Sequence, residues 1–142
     1  MPRIYTIGYE GMHLGEFIAG LRARGVARLV DVRAIAFSRK KGFSKTALSC
    51  ALNAAGIEYL HMPELGSPKE LREELYKNSD YERFFRKYSK HLAGKEESLC
   101  RLRGIADEKT SALMCFERDS GKCHRGIIAS ELLRNGAEVT HI

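Results

Sequence analysis

Apolar and polar positions alternate along this chain in two rhythms that take turns. Residues 3–9 (RIYTIGY) are β-branched and aromatic, a strand by composition, broken by Gly8 and Gly11. Leu14, Phe17, Ile18 and Leu21 then recur at three- and four-residue spacing, which predicts a helix over 14–24 closed by Gly25. A short apolar run at 28–33 (RLVDVR) predicts a second strand, followed by a polar, basic loop over 34–43. Ser44 fits an N-cap, Leu48, Leu52 and Ala55 line one helical face, and Gly56 sits just past the end. Residues 57–62 (IEYLHM) read as a third strand, leading into a Pro/Gly loop through Pro68. A charged, aromatic stretch over 69–107 reads as two or three helices with breaks near 78–80 and Gly94. A fourth strand over 110–117 (TSALMCFE), a helix over 123–135 and a fifth strand over 137–142 (AEVTHI) complete the pattern.

Strands alternating with helices predict an α/β fold: three layers, a mostly parallel sheet of about five strands, and helices on both faces. The chain has 142 residues. At about 150 residues a domain buries roughly 68–70% of its unfolded surface. Residues 1–142 are therefore expected to form a single α/β domain. Hydrophobic residues make up 44% and charged residues 30%. This excludes a disordered or fibrous chain. The longest apolar runs are strand-sized, short of the roughly 20 residues a membrane span requires. The N-terminus lacks the apolar core of a signal peptide, so a cytoplasmic protein without a membrane partner is expected. Cys50, Cys100, Cys115 and Cys123 are too few for a disulfide scaffold and are expected to be reduced there.

The formal charge of +6 is uneven. Residues 1–50 hold nine Lys/Arg against three Asp/Glu, residues 51–100 eight against nine, and residues 101–142 seven against six. The excess thus lies in the first third, where it suits either a phosphate-bearing partner or a solvated basic face. Open parallel sheets bind ligands outside the carboxyl ends of their strands. The predicted carboxyl ends carry Tyr9–Glu10, Asp31–Arg33, His61, Cys115–Glu117 and His141, whereas the opposite ends carry Arg3, Arg28, Ile57, Thr110 and Ala137. That asymmetry points to a site on the carboxyl edge.

The densest cluster there runs from Cys115 and Glu117 to Cys123, His124 and Arg125. A strand, a turn and a helix N-terminus in succession aim backbone N–H groups at one spot. Three readings fit it. One is an anion pocket with Arg125 as the guanidinium fork and Cys115 or Cys123 as a thiolate nucleophile. The cysteine phosphatase pattern is absent, because Gly121 stands where its arginine would be. The second is a zinc site from Cys115, Cys123 and His124, with His61, although no tight cysteine pair is present. The third is structural: a cysteine in the strand core, a small residue against the sheet and a solvated histidine. A second cluster joins Asp31 and Arg33 to Ser38, Arg39, Lys40, Lys41 and Lys45, with Phe37 and Phe43 interleaved. Asp31 could orient Arg33 or act as a general base, and cations beside aromatics suit a nucleotide. His61 could carry a proton or simply be hydrogen-bonded. Tyr81, Phe84, Phe85 and Tyr88 read first as a helix core face, with Tyr81 as a pocket residue second.

TIGYEG at 6–11, VDVR at 30–33, SR at 38–39, GFSK at 42–45, GIEYLHMPELG at 56–66, the Tyr81…Phe84 pair, LMCFE at 113–117, CHR at 123–125 and the closing VTHI resemble, in order and spacing, the family called domain of unknown function 488. The resemblance runs from residue 4 to the C-terminus. It implies a compact α/β domain and no particular activity. It places motif positions at Thr6, Gly8, Tyr9, Asp31, Arg33, Ser38, Arg39, Phe43, His61, Pro63, Gly66, Tyr81, Cys115, Glu117, Cys123, His124 and Arg125. Two departures bear on loop shape: Ala34-Ile35-Ala36 where members often have proline, and Gly66-Ser67 where many have a double glycine.

The leading expectation is an enzyme, a hydrolase or transferase, acting on a phosphate-containing nucleotide or nucleic acid. Arg33, Arg39 and Arg125 would hold the anion, Asp31 or Glu117 would be the acid or base, and Cys115 or Cys123 the nucleophile. Tyr9, Ser38, His61, Tyr81 and His124 would position the substrate, and no cofactor is required. The alternatives are a non-catalytic nucleic-acid-binding module and a small zinc-binding domain.

Overall fold

A computed structural model describes residues 3–142; Met1 and Pro2 of the expected domain lie outside the described residues. The strands are β1 (Arg3–Gly8), β2 (Arg28–Asp31), β3 (Glu58–His61), β4 (Ser111–Cys115) and β5 (Glu138–His141). The helices are α1 (Leu14–Ala23), α2 (Lys45–Ala54), α3 (Lys69–Asn78), α4 (Tyr81–Ala93), α5 (Glu96–Glu108) and α6 (His124–Arg134). Short 3₁₀ turns cover Pro63–Leu65 and Ser120–Lys122. The charged stretch resolves into three helices, interrupted where Ser79 takes a left-handed conformation (φ 53°) and again at Gly94.

All strand pairs are parallel, in the order β3-β2-β4-β1-β5. The steps through α1 and α2 run one way along the sheet, and the steps through α3–α5 and α6 run back. Right-handed crossovers then put α1 and α2 on one face and the other four helices on the opposite face. Two buried clusters record this division. Tyr5, Ile7, Leu29 and Met114 pack with Phe17 and Leu21 of α1 and Leu48 and Leu52 of α2. Ile4, Val30 and Leu113 pack with Tyr88 and Leu92 of α4, Leu102 of α5 and Ile128 and Leu132 of α6. Each large apolar side chain so buried contributes roughly 1.5–3 kcal/mol before entropy is counted.

The carboxyl edge is drawn together by loops that leave the sheet early. Strands β2 and β4 end two residues before the sequence pattern does, at Asp31 and Cys115. Tyr9 and Glu10 follow β4 a little further, donating their N–H groups to Cys115 O (3.2 Å) and Phe116 O (2.9 Å). Two glycines permit the close approach. A Cβ on Gly8 would lie 1.7 Å from Glu117 O, and one on Gly66 would lie 2.2 Å from Ala34 N. Gly8 thus lets the β4–α6 loop fold over the end of β1.

Candidate functional site at the carboxyl edge

Asp31, the last residue of β2, is fully buried and grips Arg33 two residues on. Its Oδ1 accepts from Arg33 Nε (2.9 Å) and its Oδ2 from Arg33 Nη2 (2.7 Å) and from Tyr59 OH (2.6 Å). Arg33 Nη1 donates to Tyr9 OH at 3.2 Å. Burial pulls the Arg33 pKa down, and hydrogen bonding and charge from Asp31 more than offset this, so the net direction is upward. Burial and then the Asp31 carboxylate raise the Tyr59 phenol as well. With the Arg33 backbone N–H also on Oδ1 (3.1 Å), all four lone-pair directions of Asp31 are engaged, an arrangement that suits the first of its two expected roles, orienting Arg33.

Two histidines hold the next stretch of backbone. His61 Nε2 donates to Arg33 O and His124 Nε2 to Val32 O, each at 2.7 Å. A carbonyl only accepts, so each imidazole carries its proton on Nε2. Burial presses the His124 pKa down to about 4. His124 is buried and so is not the solvated group considered from the sequence, and His61 is hydrogen-bonded, one of the two roles considered for it; both hold the start of the β2–α2 loop.

At the end of β4, Cys115 and Cys123 are joined in a disulfide, with Cα atoms 7.3 Å apart, whereas Cys50 and Cys100 are free and exposed. This corrects the expectation of four reduced thiols. The loop from β4 returns to α6 and brings its two ends together, with Cys123 as the N-cap that accepts Arg125 N–H at 3.5 Å. Arg125 is wholly buried. Its Nη1 donates to Cys115 Sγ (3.0 Å) and to Glu117 O, and its Nη2 to Arg118 O (3.1 Å). Burial lowers its pKa to about 10. Arg125 therefore shapes the loop from beneath and does not reach a ligand in solvent, against the sequence expectation. Among the described residues no three His, Cys, Asp or Glu side chains converge as a metal cage.

These elements enclose an open cleft of about 680 Å³. One wall is the β2–α2 loop, with Arg33, Ile35, Phe37, Ser38 and Arg39. A second is α3, with Arg72 and Tyr76, backed by Phe84 of α4. The third is the β4–α6 loop, with Cys115, Phe116, Glu117, Lys122, Cys123 and His124, and Tyr9 joins at the end of β1. Ser38 and Ser44 bond one another through Ser44 Oγ, which accepts Ser38 N–H (3.0 Å) and donates to Ser38 O (3.1 Å). The Ser44 hydroxyl thus braces the basic loop and does not cap α2. Phe43, grouped with this loop from sequence, is buried in the core and stacks on Tyr9 at 4.5 Å.

Eight of the residues expected at the site line the cleft: Tyr9, Arg33, Ser38, Arg39, Cys115, Glu117, Cys123 and His124. Asp31, His61 and Arg125 stand behind its walls. Tyr81 lies outside it, in the first turn of α4 beside Phe85. Glu117 is half-buried, and burial followed by the charge of Glu10 raises its carboxyl pKa. Sequence reasoning missed Arg72, Tyr76, Phe116 and Lys122. Arg72 forms no ion pair or side-chain hydrogen bond with a described residue, and its Nε is buried without a partner. Its only signal in the sequence was an aromatic, Tyr76, set one turn away in an otherwise charged helix.

Fold and cleft define an all-parallel α/β protein with an open cleft at the carboxyl edge of its sheet. The chain belongs to the family described as Domain of unknown function DUF488, whose profile matches residues 13–132, nearly the whole chain. No curated protein and no solved structure matches it. No described helix is long and apolar enough to cross a membrane.

Proposed function

We propose that the protein is an enzyme acting on a phosphate-bearing substrate, a nucleotide or nucleic acid, held in the carboxyl-edge cleft. The observation that carries this reading is that Arg39, Arg72 and Lys122 line one cleft from three walls, and none has a carboxylate within salt-bridge distance among the described residues. Convergent cations without acidic partners suit a polyanion, and the guanidinium forks suit phosphate oxygens in particular. Arg33, already neutralised by Asp31, adds hydrogen bonds more than charge. Glu117, with its raised carboxyl pKa, supplies the general acid for a leaving oxygen.

The nucleophile in this reading is Cys115, once a thiol reductant has opened its bridge to Cys123. A buried Arg125 without a carboxylate is a costly charge, and a thiolate at Cys115, 3.0 Å from Arg125 Nη1, is the anion that would neutralise it. The test is equilibrium binding of inorganic pyrophosphate and turnover of a generic phosphate ester, with and without reductant. Arg72→Ala and Arg39→Ala should each weaken pyrophosphate, and Cys115→Ser should abolish turnover while leaving binding intact. Unchanged pyrophosphate affinity in both arginine variants would remove the reading. A second reading, a non-catalytic nucleic-acid-binding module, is favoured by the bridge itself, which leaves neither cysteine free to attack. It predicts the same binding with no turnover, whether or not reductant is present.

A further inference from the structure

Most of the large apolar side chains left exposed on this protein gather at one place. Of the six among the described residues, Ile35, Phe37, Tyr76 and Phe116 line the cleft, and only Tyr81 and Leu133 lie elsewhere. Single exposed hydrophobics are ordinary on a protein surface, but a concentration around a cleft marks a contact surface. Phe37 is 66% exposed, Tyr76 92% and Phe116 45%. Each wall contributes one of these rings, and each wall also contributes one unpaired cation. Phe37 stands two residues from Arg39. Arg72 and Tyr76 are four apart on one face of α3. Phe116 and Lys122 share the β4–α6 loop.

A flat ring with a cation at its side matches a nucleobase with its phosphate. A mononucleotide offers one base, and the cleft offers three such pairs. In a duplex the base faces are stacked inside and unavailable. We propose, resting on the phosphate reading above, that the substrate class is single-stranded nucleic acid. Successive bases stack on Phe37, Tyr76 and Phe116, and the intervening phosphates meet Arg39, Arg72 and Lys122. This is the combination of aromatic platforms and a positive groove that tracks a single strand.

The experiment is fluorescence anisotropy with a labelled single-stranded oligonucleotide, set against the same sequence as a duplex, against AMP and against inorganic pyrophosphate. The single strand should bind tightest. Its log affinity should fall against log salt with a slope of about −2, the value for three phosphates on a single strand, and each of Arg39→Ala, Arg72→Ala and Lys122→Ala should reduce that slope by about 0.7. Phe37→Ala and Tyr76→Ala should each weaken the strand by about 5- to 100-fold and leave pyrophosphate unchanged, whereas Leu133→Ala should change neither. Both rings are exposed, so circular dichroism should report an unaltered fold. Equal affinity for the duplex, or for AMP, overturns the proposal. Binding of pyrophosphate without the strand overturns it and leaves the phosphate reading standing. Binding of neither removes both.

Discussion

The two edges of the sheet handle positive charge in opposite ways. At the amino edge the cations on and beside the strand starts have acids: Arg28 meets Glu58 at 3.1 Å and Glu108 at 3.5 Å, Lys109 meets Glu58 at 3.0 Å, and Arg3 meets Glu138 at 3.6 Å. Of the cations lining the cleft only Arg33 is matched, by Asp31, while Arg39, Arg72, Lys122 and the buried Arg125 behind them have no carboxylate partner among the described residues. Both edges are rich in arginine and lysine, so composition does not separate them. Pairing does. Neutralised charge holds elements in register, and unmatched charge converging on a cavity is available to a ligand.

The largest effect that can break this contrast concerns the one matched pair of the cleft. Asp31→Ala leaves the Arg33 guanidinium buried and unpaired, and should lower the unfolding free energy by about 3–5 kcal/mol in urea titration. The corresponding cut at the other edge, Glu58→Ala, removes a half-exposed acid from an arginine that keeps Glu108 and Ile105 O, and should cost much less. Equal losses would mean that burial does not distinguish the two edges.

Next in size is a pH effect confined to the carboxyl edge. His124 is buried neutral, with its pKa depressed from 6.5 to about 4, so the unfolded chain takes up the proton first on acidification. The stability it contributes is complete above pH 6.5 and is lost as the pH falls towards 4, by an amount of order 3 kcal/mol. The His124→Gln variant should lack that slope when the two stability curves are subtracted. Parallel curves would show that the imidazole titrates normally.

The smallest effect on stability accompanies the most telling change in binding. Arg72→Ala should alter unfolding by less than about 0.5 kcal/mol, because no protein group depends on it. Its pyrophosphate affinity should nevertheless drop about tenfold, or 1.4 kcal/mol. A destabilised protein with intact affinity would place Arg72 among the structural charges of the amino edge. Glu117→Gln sharpens the same contrast by sign alone. Its raised pKa means that the native carboxyl resists ionisation, so stability present below pH 4.5 is lost as pH rises, and the glutamine variant should gain relative stability at neutral pH.

Much of this edge was legible in the residue order. All five strands, and the breaks at 78–80 and Gly94, follow from periodicity and from glycine or asparagine placement, because those signals act within a few residues. The carboxyl-end asymmetry was legible for the same reason, and the spacing of Asp31 and Arg33 already suggested an acid orienting its neighbour. What escaped was set by distant packing. Arg72 and Tyr76 sit in a helix without a buried residue and become a wall only because α3 crosses to the β2–α2 loop. Arg125, read as an exposed anion fork, is sealed beneath a loop that Gly8 allows to descend. Tyr81 and Phe84 look interchangeable in a heptad-like stripe, yet a three-residue step rotates one out of the cleft and the other into it.

The lining of the cleft comes from residues near 9, 33–39, 67–76, 84 and 115–124, segments that meet only when the whole sheet is assembled. Anything bound there is therefore coupled to global folding and not to a single loop. A true ligand at a hundred times its dissociation constant should add about 2.7 kcal/mol of apparent stability. The melting temperature of the unmodified protein thus becomes an assay for its chemistry, and a library of phosphorylated compounds can be ranked by thermal shift before any reaction has been observed.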